Sequence, residues 1–110
     1  MIQTDVAIVG AGPSGSVAAH RLAAAGVRVV LLDRATFPRD KICGDAVTRE
    51  GLEVLERSGL AEWAAQFKPI EVLRFTSPDL QVLDVPVKLS NSGCVGRIIP
   101  RQSLDVNLVQ

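Results

Sequence analysis

Thr4-Asp5-Val6-Ala7-Ile8-Val9-Gly10-Ala11-Gly12-Pro13-Ser14-Gly15 joins a β-branched apolar run to three glycines spaced G-x-G-x-x-G. Residues 4–9 are too short and too β-branched for a helix, and they stop at a glycine, so they read as a buried strand. Beyond Pro13 the chain turns Ala-rich. Val17, Ala18, Leu22 and Ala25 share one helical face, and Gly26 stands where a C-terminal cap belongs. Residues 27–33, Val-Arg-Val-Val-Leu-Leu-Asp, form a second apolar run. Strand, helix and strand within about 30 residues make a βαβ unit, with parallel strands joined by a right-handed crossover.

The glycine pattern alone is weak, because glycines and turns are common. Its context is specific: it follows a strand, opens a helix, continues with Ala19, Leu22 and Gly26, and is answered by Asp33 closing the second strand. Gly10 permits the tight turn, Gly12 lets backbone approach a pyrophosphate, and Gly15 lets helix and strand pack closely. Pro13 and Ser14 open a helix whose N-terminal amides and dipole favour an anion. Asp33 is suited to accept hydrogen bonds from adenosine ribose hydroxyls. A ligand-free corner would not call for that acid, so the pattern predicts a dinucleotide site. NAD and FAD present the same ADP half, and the fingerprint does not choose between them.

Outward from this core, residues 34–47 carry Pro38, Gly44 and several charges and read as a loop. Thr48 is an N-cap candidate for a helix bearing Leu52 and Leu55 and ending at Ser58-Gly59-Leu60. Trp63 and Phe67, four apart, read as a packing pair. Residues 70–76 and 80–87 alternate as strands around Ser77-Pro78-Asp79, a hairpin, and residues 95–100 read as one more strand. A helix starts at Arg101, with Leu104 and Leu108 on one face. The expected fold is α/β: the N-terminal βαβ part of a Rossmann-like FAD/NAD(P)-binding domain with an antiparallel β excursion. Its sheet is incomplete, with apolar faces left for partners to cover.

The 110 residues suffice for one modest core. A formal net charge of zero gives no electrostatic footprint for nucleic acid. Asp5 lies where a secretory signal needs positive charge, so no export signal is read. The longest apolar stretch, residues 22–32, is broken by Gly26 and Arg28 and falls short of the roughly 20 residues a membrane span needs. Cys43 and Cys94 are far apart, without a Cys-x-x-Cys or a histidine pair. Neither a disulfide framework nor a zinc site is expected, and a reducing cytosol is. His20, the sole histidine, lies inside the first helix and is read as a surface or packing residue.

Phe37-Pro38-Arg39-Asp40-Lys41-Ile42-Cys43-Gly44-Asp45 resembles the F-x-R-x-K-x-C-G-D segment of the geranylgeranyl reductase-like flavoproteins. These belong to the p-hydroxybenzoate hydroxylase-like group of FAD enzymes. The resemblance covers nearly all of the chain. It includes Pro100-Arg101, Leu104-Asp105 and Leu108-Val109, which are similar to that group's helix before its third parallel strand. It implies FAD as cofactor, with Gly10, Gly12, Gly15 and Asp33 holding the ADP moiety and Arg34 beside the adenosine. It places Arg39, Lys41, Cys43, Gly44 and Asp45 in a loop near the flavin and its pyrophosphate, with Arg101 reaching the cofactor from its helix. On the residues alone, Arg39 and Lys41 also read as solvated loop charges, and Cys43 as a small buried filler.

The resemblance further implies NAD(P)H as electron donor and reduction of a carbon-carbon double bond in a small isoprenoid-like or other apolar substrate, in the cytoplasm or at a membrane periphery. A monooxygenase or halogenase sharing this N-terminus is the alternative enzyme, and a non-catalytic FAD-binding fragment is the alternative outside catalysis. Residues 1–110 are expected to form an FAD-binding domain that ends before the third parallel strand and a later Gly-Asp motif. No residue stands out as a general acid or base, and the oligomeric state is open.

Overall fold

The computed structural model describes residues 1–87 and 94–110. In chain order the elements are β1 (Val6–Val9), α1 (Pro13–Ala24), β2 (Val29–Leu32), β3 (Ala46–Thr48), α2 (Arg49–Arg57), α3 (Ala61–Ala65), β4 (Val72–Thr76), β5 (Val82–Pro86), β6 (Gly96–Ile98) and α4 (Arg101–Val109). They fall into two units: Met1–Asp45 with Pro100–Gln110, and Ala46–Ile99.

In the first unit β1 and β2 pair in parallel, Val6 opposite Val29 and Val9 opposite Leu32, as the βαβ reading requires. α1 is stopped by a glycine cap: Gly26 has a φ of +82°, its N–H bonds Ala23 O, and the Val27 N–H reaches back to Leu22 O at 3.0 Å. This paired return satisfies carbonyls that the helix end would otherwise orphan. α1 packs on β2 and on α4, and Ala11, Ser16, Leu104 and Asp105 are buried. Val9 and Leu32 are exposed, so the parallel pair keeps apolar surface open, as expected of an unfinished sheet.

In the second unit, Thr48 caps α2 by accepting a bond from the Gly51 N–H at 3.5 Å, and Leu55 faces inward at 4 % exposure. Trp63 and Phe67 meet edge to face with centroids 5.0 Å apart. The Arg97 guanidinium donates to the carbonyls of Ala65 and Phe67, closing the end of α3. β4 and β5 form the expected hairpin, with Arg74 and Asp84 bonded across it at 2.7 Å. Val72, Leu73, Phe75, Val82, Leu83 and Val85 on these strands are exposed.

Two expectations are corrected. The loop read over residues 34–47 ends earlier, because Ala46–Thr48 is a strand paired antiparallel with Gly96–Ile98. Its extended form depends on that distant partner and leaves no local pattern. Leu80, read as the first residue of a strand, has a φ of +63° and belongs to the turn, where its N–H bonds Ser77 O at 2.9 Å. No helix among the described residues is long and apolar enough to cross a membrane.

Candidate functional site

The glycine corner is fixed from both sides. Gly10, with a φ of +104°, donates its N–H to Leu32 O at 2.7 Å. The next residue, Ala11, donates its N–H to Asp33 Oδ2 at 2.7 Å, while its carbonyl accepts from the buried Ser16 hydroxyl at 3.0 Å. The other oxygen of Asp33 accepts from the Ala35 N–H at 2.8 Å. The Ala35 and Ala11 amides, in that order, hold the Asp33 carboxyl below the usual carboxylate range, assisted by the charges of Arg39 and Arg34. Asp33 is therefore an anion that braces the corner as well as a group able to meet a ligand.

Gly15 is required by contact: a Cβ there would lie 1.8 Å from the Gly10 carbonyl oxygen. α1 starts on Gly12 with no side-chain cap. The Ser14 and Gly15 amides of its first turn have no preceding carbonyl within the helix to bond, which leaves the positive end of the dipole at the corner.

A second set of groups converges on Gly12 within the same unit. The Arg101 N–H donates to Asp45 Oδ1 at 2.9 Å, so Asp45, with a φ of +59°, fixes the first turn of α4. The Asp105 carboxylate has no solvent exposure. It accepts a bond from Arg101 Nε at 2.7 Å and forms an ion pair with Arg39 Nη1 at 2.8 Å. Asp105 also holds the Arg101 guanidinium above its usual range, with a smaller contribution from the Cys43 thiol beside it. The Nη2 atoms of both arginines flank Gly12: a Cβ there would stand 3.4 Å from Arg101 Nη2 and 3.8 Å from Arg39 Nη2. Arg39 also lies over the Phe37 ring, 5.0 Å from its centroid. Next to the corner, Ala11, Leu31, Asp33, Ala35, Phe37 and Val109 line a cleft of about 320 Å³.

The structure thus brings Gly10, Gly12, Pro13, Ser14, Gly15, Asp33, Arg39, Asp45 and Arg101 into one constellation. Ser14, Arg34, Lys41, Cys43 and Gly44 are exposed, and of the last four Cys43 lies beside the Arg101 guanidinium. Two readings made on the residues alone are corrected: Arg39 is an ion-paired, largely buried group rather than a solvated charge, and Cys43 is exposed rather than a buried filler. Neither Ser16 nor Asp105 was read as a site residue from the sequence, Asp105 being quoted only within the helix resemblance. For Asp105 a signal existed, since Arg101 and Asp105 have the i,i+4 spacing of a helical ion pair. Its second partner, Arg39, has no such spacing.

A parallel βαβ unit with a glycine corner at the mouth of its helix is the opening unit of a Rossmann-like fold. The chain belongs to the FAD binding domain family, which matches residues 3–93. It is 52 % identical over 61 residues to a menaquinone reductase of Mycolicibacterium smegmatis, covering 56 % of this chain and 15 % of that protein. It is 39 % identical over 80 residues to digeranylgeranylglycerophospholipid reductase 2 of Methanosphaera stadtmanae, covering 72 % of this chain and 20 % of the relative. The second relative agrees with the resemblance to geranylgeranyl reductases read from residues 37–45. Among solved structures, a myxobacterial chondrochloren halogenase superposes with a TM-score of 0.80 at 24 % identity, over 96 % of this chain and 25 % of the halogenase. The chain therefore spans about a fifth or less of the length of these curated relatives.

Proposed function

We propose that this chain is the ADP-binding end of an FAD-dependent oxidoreductase and that the Gly12 corner takes the cofactor's pyrophosphate. The observation that carries the reading is the pair of guanidinium edges facing Gly12, 3.4 and 3.8 Å from where a Cβ would lie. Two fixed cations and a helix N-terminus around a gap with no side chain suit a pyrophosphate better than any neutral group. The donor set therefore fits the group that the family name implies.

In this reading Gly10, Gly12, Pro13, Ser14 and Gly15 present backbone to the pyrophosphate. Asp33 accepts from the ribose hydroxyls with lone pairs not used by Ala11 and Ala35, and the cleft under Phe37 receives the adenosine, with Arg34 at its edge. Lys41, Cys43, Gly44 and Asp45 belong to the loop toward the flavin. When bound, FAD supplies the hydride chemistry, and these residues bind and orient it. The substrate class we favour is an isoprenoid-like or other apolar molecule with a reducible double bond, and the donor NAD(P)H. Support comes from the resemblance of residues 37–45 and from the reductase names of the relatives. A cytoplasmic or membrane-peripheral enzyme suits such a substrate.

The test is flavin retention. The full chain is mixed with FAD and desalted, and visible flavin absorbance is compared with that of Gly12→Val. The φ of −72° at Gly12 suits any residue, so the added methyls obstruct the gap without straining the backbone. Retention by the parent and loss in the variant is expected; equal retention by both removes the reading. For the intact enzyme, anaerobic bleaching of flavin by NAD(P)H with turnover of an apolar alkene is expected, and oxygen uptake coupled to hydroxylation would replace the reductase assignment.

A further inference from the structure

We propose that Asp105 is a positioning residue for the anion site: its buried carboxylate holds the inner edges of Arg39 and Arg101 so that their outer edges face Gly12. The proposal rests on the pyrophosphate reading given above and adds to it the group that builds the clamp. Asp105 has no solvent exposure. One nitrogen of each guanidinium lies toward Asp105, Arg101 Nε in a hydrogen bond at 2.7 Å and Arg39 Nη1 in an ion-pair contact at 2.8 Å that lacks hydrogen-bond geometry, and Nη2 of each lies toward Gly12.

Two adjacent guanidiniums repel one another and, left free, would swing apart into water. A carboxylate between them removes that repulsion and fixes two long side chains whose ordering otherwise opposes binding. One negative charge against two positive charges leaves a net positive charge at the Gly12 gap, where an anion is to sit. Phe37 beneath Arg39 and Asp45 on the Arg101 amide add to the same orientation.

The sign of the effect separates positioning from simple electrostatics. Asp105 is an anion near an anion site, so neutralising it should tighten phosphate binding if only charge matters. Positioning predicts the opposite. The experiment measures ADP and adenosine affinity by calorimetry on the full chain and on Asp105→Asn, which keeps the shape and removes the charge. The expected result is an ADP affinity lower by about tenfold or more with adenosine binding unchanged, and partial recovery of ADP binding in Asp105→Glu. Equal loss for both ligands would assign Asp105 a purely structural role, and unchanged or tighter ADP binding would overturn the proposal directly. Wild-type protein binding ADP no better than adenosine would remove the pyrophosphate reading itself, and the proposal with it.

A second comparison does not require Asp105→Asn to fold. Asp105→Leu, Arg39→Met and Arg101→Met are combined in one triple variant, in which no unpaired buried charge remains, and it is compared with the Arg39→Met and Arg101→Met double variant, in which Asp105 is left buried and unpaired. If Asp105 acts through the arginines, ADP affinity stays the same or rises when it is removed from that background. A further fall would overturn the proposal.

Discussion

Gly15 faces the Gly10 carbonyl so closely that a Cβ on Gly15 would lie 1.8 Å from the oxygen and 3.0 Å from the carbon. The obstacle is backbone, and that backbone is fixed by the Gly10 bond to Leu32, so no side-chain rotation relieves it. Gly15→Ala should cost about 3 kcal/mol or more, at or beyond the upper end of ordinary overpacking. Urea unfolding midpoints check this, and a midpoint within error of the parent would contradict the close approach.

Asp33 gives a pH signature. Its folded carboxyl is held below the usual value by the Ala35 and Ala11 amides. A lowered folded value means that the contribution to stability is complete above the unfolded pKa of about 3.9 and is lost as pH falls through the folded value. The Tm difference between the parent and Asp33→Asn should therefore be full at neutral pH and shrink below about pH 4. A difference independent of pH would mean that the carboxylate charge is not what braces the corner.

Thr48 caps α2 through a bond to Gly51 at 3.5 Å, long for a strong cap. Thr48→Ala should lower stability by about 0.5 kcal/mol, the low end for lost N-caps. Thr48→Ser, which keeps the hydroxyl, should recover most of it. Denaturant titration of the three proteins gives the ordering.

Leu55 is 4 % exposed on the inner face of α2. Leu55→Ala should cost about 3 kcal/mol through lost burial and the cavity left behind. Leu55→Met, which keeps most of the volume, should cost under about 1.5 kcal/mol. Thermal melts and urea midpoints should rank the two in that order.

The site was legible in the sequence where its requirements are local. Gly10 needs a positive φ, Gly15 needs a missing Cβ, and Asp33 follows a strand that must end beside the first; each leaves a residue type at a fixed spacing. The helices α1 and α2, each followed by a glycine of positive φ (Gly26 at +82° and Gly59 at +79°), were legible for the same reason. β3 was not, because Ala46–Thr48 extends only along Gly96–Ile98. The turn conformation of Leu80 was hidden because its apolar side chain imitates a strand residue.

The sequence by itself determined the βαβ unit and its glycine corner, since these depend on backbone freedom and short-range periodicity, while the FAD-type segment that follows was read from its resemblance to the geranylgeranyl reductase-like flavoproteins. Only the tertiary structure decided which charges meet. Arg39 reads as a loop cation until Asp105, from a helix much later in the chain, is seen to lie 2.8 Å from it. Coulomb attraction and burial act through space, so the partner that turns a solvated charge into one arm of a clamp leaves no mark on the residues beside it.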